Sequence, residues 1–129
     1  MKKGNILFWT ATIIIILFEA AMPLGTLLFA PHYATAGTSP LGYPDYFAYA
    51  LIVCKVSGAL AIALPFVPAK MKEWAYAGLT FNLIFAALSH AMVDGIIGNI
   101  IMPIVIGGIL ALSYYFNPQL NRQAKSVVI

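Results

Sequence analysis

Four long apolar stretches constrain this sequence more than any other feature. They lie at about residues 6–30, 46–66, 74–93 and 96–116. Each supplies the roughly 20 apolar residues that an α-helix needs to cross about 30 Å of hydrocarbon. Because 62% of the residues are hydrophobic and only 9% are charged, a soluble globular domain, a disordered chain and a disulfide scaffold are excluded. The sequence therefore predicts an all-α integral membrane four-helix bundle, formed by one domain over residues 1–129.

The cations of the loops lie in alternate connections. They precede the first stretch, separate the second from the third and follow the fourth, at Lys2, Lys3, Lys70, Lys72, Arg122 and Lys125. The loops at residues 31–45 and 94–95 contain no Lys or Arg. Because Lys and Arg concentrate in cytoplasmic loops, the pattern predicts a protein of the cell membrane with both termini in the cytoplasm. The cations are dispersed rather than clustered, so we expect no nucleic-acid partner and contact with the lipid bilayer instead.

Aromatic side chains mark the ends of the predicted helices. Trp74 and Tyr76 are expected at the cytoplasmic interface, and Tyr43 is expected at the outer one. Rings with a polar edge favour the headgroup level of a bilayer, so these positions agree with the predicted boundaries.

The first apolar stretch also has features of a cleavable signal peptide. Met1-Lys2-Lys3 precedes it, and Ala34-Thr35-Ala36 resembles a cleavage site. The apolar region of a signal peptide is about 7–15 residues long, and this stretch is much longer. We therefore expect an uncleaved first helix.

Ionisable side chains within the predicted helices indicate where a functional site would lie. They are costly in hydrocarbon, so each needs a partner or a purpose. Glu19, Lys55 and His90 are such residues, and Asn82 adds a neutral polar group. With a rise of about 1.5 Å per residue, Glu19 and Asn82 lie roughly 16 Å from the outer ends of their helices and Lys55 roughly 14 Å. His90 lies at a shallower level, about 5 Å from the outer surface.

These depths predict that Glu19 and Lys55 form an ion pair near the middle of the bilayer, with Asn82 hydrogen-bonded to it and His90 completing a candidate polar pocket. Two interpretations stay open. The pair either only holds the bundle together, or it lines a cavity that handles a lipophilic substrate, a quinone or a proton. A dry, direct contact favours the first interpretation, and a pocket at this level favours the second. Pro23 cannot donate a hydrogen bond to the Glu19 carbonyl, so we expect the helix to open beside the acid.

The sequence contains no familiar catalytic or metal-binding motif. Cys54 is the one cysteine, so neither a CxxC redox pair nor an internal disulfide can form. No HExxH, Walker, GxSxG or CxxCH pattern occurs. No metal site is predicted, and no residue can be assigned as catalytic from the sequence.

Several motifs in the middle of the chain resemble a known family. They are the run LGYPDYF at residues 41–47, Lys55, Gly58-Ala59, Leu64-Pro65 with Pro68, the run KEWAYAG at residues 72–78, and Ser89-His90. This set is similar to the DoxX-like family of small four-helix membrane proteins. The first helix departs from the pattern, because Phe18-Glu19-Ala20-Ala21-Met22-Pro23 stands where many relatives carry Ser-Gly followed by Lys.

The resemblance implies a four-helix membrane bundle and raises the expectation of a redox-associated role. The family takes its name from a subunit of a quinone-linked, sulfur-oxidising membrane complex, while most members lack a defined activity. A quinone is thus the candidate cofactor, and a membrane redox subunit or a second copy of the chain is the candidate partner. The alternatives are a structural or assembly protein without chemistry and, ranked lower, a small transporter, for which no inverted repeat is visible.

Overall fold

The described residues form six α-helices, which build four elements long and apolar enough to cross a membrane. The computed structural model describes residues 2–128, with the side chains of residues 2–126. The helices are α1 (Lys3–Ile16), α2 (Met22–Phe29), α3 (Asp45–Ala63), α4 (Ala69–Val93), α5 (Ile97–Tyr115) and α6 (Pro118–Val128). A π-helical turn (Leu17–Ala21) joins α1 to α2, so Lys3–Phe29 forms one membrane-spanning element. The all-α four-helix membrane bundle is confirmed.

The spanning helices form a ring in which α1 contacts α3 and α5, and α4 contacts α3 and α5. The core between them contains Ile15, Ile62, Leu79, Ile106 and Leu110. Large apolar side chains such as Phe29, Phe66, Met92 and Ile97 are exposed on the outside. An exposed apolar surface of this extent fits a protein whose solvent is lipid.

The ends of the bundle differ in how they are closed. At one end, the loop of residues 30–44 contains two short 3₁₀ turns and leads into α3; we call this the loop end. The opposite end, which we call the terminal end, carries the start of α1, the helix α6 and the short turn between α3 and α4. The spanning helix α3 stops at Ala63 because Leu64 precedes Pro65 and takes an extended backbone. The next helix begins at Ala69, directly after Pro68, rather than at the expected Trp74.

Lys72 closes the terminal end of α3. Its side chain is 2% exposed, although the sequence placed it in a loop. The Nζ atom donates hydrogen bonds to the carbonyl oxygens of Ala61 at 2.7 Å, Ile62 at 2.8 Å and Leu64 at 2.7 Å. The last carbonyls of a helix have no partner within the helix, and a cation there also complements the helix dipole. Lys72 therefore acts as a C-cap supplied by the neighbouring helix.

A second set of buried polar groups crosses the bundle near the terminal end. Ser113 Oγ shares hydrogen bonds of 2.7 Å with Thr12 Oγ1 and with the hydroxyl of Tyr76. Asn117 Nδ2 donates to the same Tyr76 hydroxyl at 3.1 Å. Tyr76 was expected at the interface, but it is 4% exposed because its hydroxyl finds partners inside the bundle. This network links α1, α4 and α5 through buried side chains.

The helix α6 was not predicted from the sequence. Asn117 Oδ1 accepts hydrogen bonds from the backbone N–H groups of Gln119 and Leu120, so Asn117 is an N-cap. The side chain of Gln119 donates to the Val67 carbonyl, and Leu120 is buried. The segment that follows the fourth span therefore folds back onto the terminal end of the bundle.

We predict that Lys72→Met destabilises the protein by about 1–3 kcal/mol, since it leaves carbonyls at the end of α3 without a donor. Unfolding in mixed detergent micelles measures this change. The control is Lys70→Met, because Lys70 is exposed and lies 5.9 Å above the Trp74 ring; we expect it to cost less than about 1 kcal/mol. Equal stabilities of the two variants would contradict the capping role.

Candidate functional site

A cavity of about 1100 Å³ extends from the loop end of the bundle past its middle, as far as Trp74 on α4. The π turn, α2, α3, α4 and the loop of residues 30–44 supply its walls, and α5 closes its back with Pro103 and Ile106. Most of the wall is apolar, with polar side chains at two levels. This is the usual composition of a pocket for a small, largely apolar molecule.

The π turn places Glu19 in the wall of this cavity. In the turn Leu17–Ala21, the Met22 N–H bonds to the Leu17 carbonyl five residues back, rather than four. Pro23, which also lines the cavity, has no N–H to continue the α-helical pattern. The expected opening of the helix beside the acid thus takes the form of a π turn, a distortion that is frequent at functional sites.

Three helices bring the predicted polar residues together at this level. Lys55 Nζ from α3 lies 3.5 Å from Glu19 Oε2, and Asn82 Nδ2 from α4 donates to the same oxygen at 3.1 Å. The Glu19 residue is 4% exposed, whereas the Lys55 side chain is 21% exposed. We call Glu19, Lys55 and Asn82 the polar cluster. Residues separated by long stretches of sequence meet here because their depths in the helices match.

The polar cluster has hydrogen-bonding capacity that the protein itself does not use. Among the described residues, both contacts to the carboxylate go to Oε2, and none goes to Glu19 Oε1. Since no fully buried side-chain atom in that part of the chain lacks a partner, Oε1 retains accessible surface, and Glu19 lines the cavity. The Lys55 ammonium has three donors, and Glu19 is its one partner within residues 2–128. The cluster therefore offers both an acceptor and donors to the cavity.

His90 lines the cavity but does not join the polar cluster. Its Nδ1 lies 2.7 Å from Asp94 Oδ2, and Asp94 Oδ1 accepts the Ile96 N–H at 2.9 Å. The Ile96 N–H, and then His90, hold the pKa of the Asp94 carboxyl below its usual value. Gly95 takes the left-handed conformation in this turn, with φ of 64°. His90 thus helps to set the turn between α4 and α5 at the loop end.

Sequence reasoning missed a second polar contact at the loop end. The Tyr43 hydroxyl lies 2.7 Å from Ser89 Oγ, and the Tyr43 ring stacks on Phe47 with centroids 4.5 Å apart. Gly42 precedes this tyrosine with a φ of 91°, a conformation that glycine adopts without strain. The contact ties the loop to α4 and covers the cavity. The Gly-Tyr-Pro sequence signals a turn, but the partner Ser89 becomes visible only in the fold.

Cys54 also lines the cavity and is exposed. Within residues 2–128, no three His, Cys, Asp or Glu side chains are grouped so that they would hold a metal ion. The candidate site therefore rests on hydrogen bonding and apolar contact.

The fold and the cavity define a small multi-pass membrane protein with a polar cluster between its helices. The model of the DoxX-like family matches residues 10–113, from within α1 to near the end of α5. The chain belongs to the DoxX-like family. Comparison with curated proteins and with solved structures gives no significant match.

We predict that Asn82→Leu lowers the stability by about 1–2 kcal/mol, because Glu19 Oε2 loses its amide donor in a water-poor site. Unfolding in mixed micelles again gives the value. Asn99→Leu is the matched control, since Asn99 is exposed at the start of α5; we expect a change within about 0.5 kcal/mol. An Asn82→Leu variant as stable as wild type would show that the amide contributes nothing to holding the carboxylate.

Proposed function

We propose that this protein binds a neutral, quinone-type lipophile in its cavity and acts as a small membrane subunit or factor of quinone-linked redox chemistry. The observation that carries the proposal is the unused hydrogen-bonding capacity of Glu19 and Lys55 in a cavity of about 1100 Å³. A site that served only to hold helices together would be expected to use that capacity internally.

The charges of the polar cluster favour a neutral ligand. Glu19 and Lys55 carry opposite charges when both are ionised, so the pair is balanced without an ion. An anion or cation that entered the cavity would remain uncompensated in a low-dielectric medium, which is costly. A molecule with a carbonyl or hydroxyl oxygen on an apolar ring meets the requirement of the site. The apolar remainder of the wall supports the same choice.

The residues of the cluster fit such a group, and each has a distinct role. The Lys55 ammonium donates to a carbonyl oxygen of the ligand, and Glu19 Oε1 accepts from a hydroxyl. A bound quinone supplies reversible uptake of electrons and protons. Glu19 is the residue that holds a proton next to the ligand oxygen, and Asn82 keeps its carboxyl in place by donating to Oε2. The surrounding apolar wall keeps water away from this exchange.

The geometry of the ion pair supports ligand binding over a purely structural role. A dry, directly bonded pair would favour a structural or assembly protein. The separation of 3.5 Å is long for a charge-assisted hydrogen bond, which is usually about 2.7–2.9 Å. The space beside the pair also speaks for binding. In this proposal the electrons come from a separate redox subunit of the membrane, and another copy of the chain would add only a second binding site.

The proposed location is the cell membrane, with the terminal end in the cytoplasm. The loop cations support this orientation. We predict that alkaline phosphatase fused after the last residue is inactive, because it stays in the cytoplasm, and that the same enzyme inserted in the loop of residues 30–44 is active. The reverse pattern would overturn the orientation.

We predict that Lys55→Met and Glu19→Gln each weaken quinone binding at least about tenfold, the equivalent of one lost hydrogen bond. Trp74 lines the cavity, so quenching of its fluorescence by an added benzoquinone measures binding in a Trp9→Phe background. Unfolding of each variant establishes that the bundle is intact.

Matched controls lie outside the cavity wall. Lys70→Met and Glu73→Gln remove the same two charges from exposed positions on α4, and we expect wild-type binding from both. If Lys55→Met and Glu19→Gln also bind as wild type does, the polar cluster is not the binding site.

A further inference from the structure

Exposed side chains of α4 that also line the cavity form one flank of an opening to the bilayer. Trp74, Gly78, Phe81 and Phe85 recur at helical spacing, so they share one flank of the helix. All four line the cavity, and all four are exposed. The opposite flank of α4, with Ala77 and Thr80, faces a groove toward α5.

Facing residues of α3 form the other flank. Cys54 and Ser57 line the cavity and are exposed. Near the terminal end the two helices approach closely, since a Cβ on Gly58 would lie 3.3 Å from Leu79 Cγ. Toward the loop end the Tyr43–Ser89 contact covers the cavity. The opening thus lies between α3 and α4 at the height of the polar cluster, and it faces lipid.

Past the close approach of Gly58 to Leu79, the cavity continues toward the terminal end as a groove along the exposed flank of α4, where Gly78 and Trp74 line it. From Asn82 to Trp74 is eight residues of α4, or roughly 12 Å at the helical rise. Its walls there are apolar or small, with Gly78 at the centre. A Cβ on Gly78 would meet nothing within 4 Å, so the space in front of this residue is open.

From these features we infer that the ligand carries a hydrocarbon chain and enters sideways from the bilayer between α3 and α4. The inference rests on the proposed function and specifies its ligand class. The ligand has a hydrogen-bonding head, which lies at the polar cluster, and an alkyl or isoprenoid chain, which lies along the groove in front of Gly78 and Trp74. The groove is continuous with the buried Glu19 carboxylate, one oxygen of which has no partner within residues 2–128. A molecule with a polar head and an apolar chain fits both parts. A helix from a second copy of the chain would cover the apolar flanks, but the interior groups would still need a polar head to pair with them.

Gly78 provides a selective way to test the chain-binding part. A Cβ at position 78 meets nothing within 4 Å, so we expect the side chain of Gly78→Leu to extend into the open groove, and the substitution improves helix propensity. Gly108→Leu is the matched control. Gly108 is an exposed residue of α5 with nothing within 4 Å of a Cβ, and it does not line the cavity.

The experiment compares a decyl-substituted benzoquinone with its methyl-substituted counterpart by quenching of Trp74 fluorescence in the Trp9→Phe background. We expect wild type and Gly108→Leu to bind the decyl compound at least about tenfold more tightly than the methyl compound, the range that a filled apolar pocket provides. We expect Gly78→Leu to lose that preference while it binds the methyl compound as wild type does.

Each other outcome has a defined meaning. If wild type shows no preference for the decyl compound, or if Gly78→Leu retains the preference, the chain does not lie in this groove and the inference is wrong. If wild type binds neither compound, the proposed function is wrong, and the inference, which rests on it, is wrong as well. Binding of the methyl compound by wild type with no effect of the chain overturns the inference and leaves the proposed function standing.

Discussion

The absence of water inside a membrane is the constraint on which this structure depends. Every polar group within the spans has to find a partner in the protein, or else face a cavity. Lys72 satisfies the end of α3, and Ser113 joins the hydroxyls of Thr12 and Tyr76. Within residues 2–128 no fully buried side-chain nitrogen or oxygen is left unpaired. The polar cluster differs from these paired groups, because Lys55 Nζ has unused donors and Glu19 Oε1 is an unused acceptor. These atoms are available to a ligand in the cavity.

The same constraint explains how the site is built. Pro23 has no backbone N–H to donate, and the first spanning element contains a π turn beside it instead of ending there. That turn carries Glu19 to the position where Lys55 and Asn82 meet it from two other helices. The distortion and the charged residue are therefore parts of one feature. In the proposed function, the apolar cavity around this feature selects a lipophilic ligand, and in the further inference that ligand enters from the bilayer between α3 and α4.

Much of the fold and the centre of the site could be predicted from sequence. Hydropathy located the four spanning elements, and a constant helical rise placed Glu19, Lys55 and Asn82 at one depth. Prediction failed where a residue's role depends on its neighbours in space. Lys72 counts as a loop cation by position, yet it lies under the end of α3 because three carbonyls need donors there. Tyrosine is a residue type that favours the membrane interface, but the hydroxyl of Tyr76 finds hydrogen-bond partners in Ser113 and Asn117 inside the bundle. The Asn-Pro pair that begins α6 was a local signal that hydropathy does not register.

A structure of the protein extracted with its native lipids into nanodiscs would test the central claim most directly. The account predicts elongated density between α3 and α4, with its head within hydrogen-bond distance of Lys55 Nζ and Glu19 Oε1 and its chain passing Gly78. A collapsed cavity, with Lys55 bonded directly to both carboxylate oxygens and the helices closed over them, would contradict it and would assign the pair to holding the bundle together.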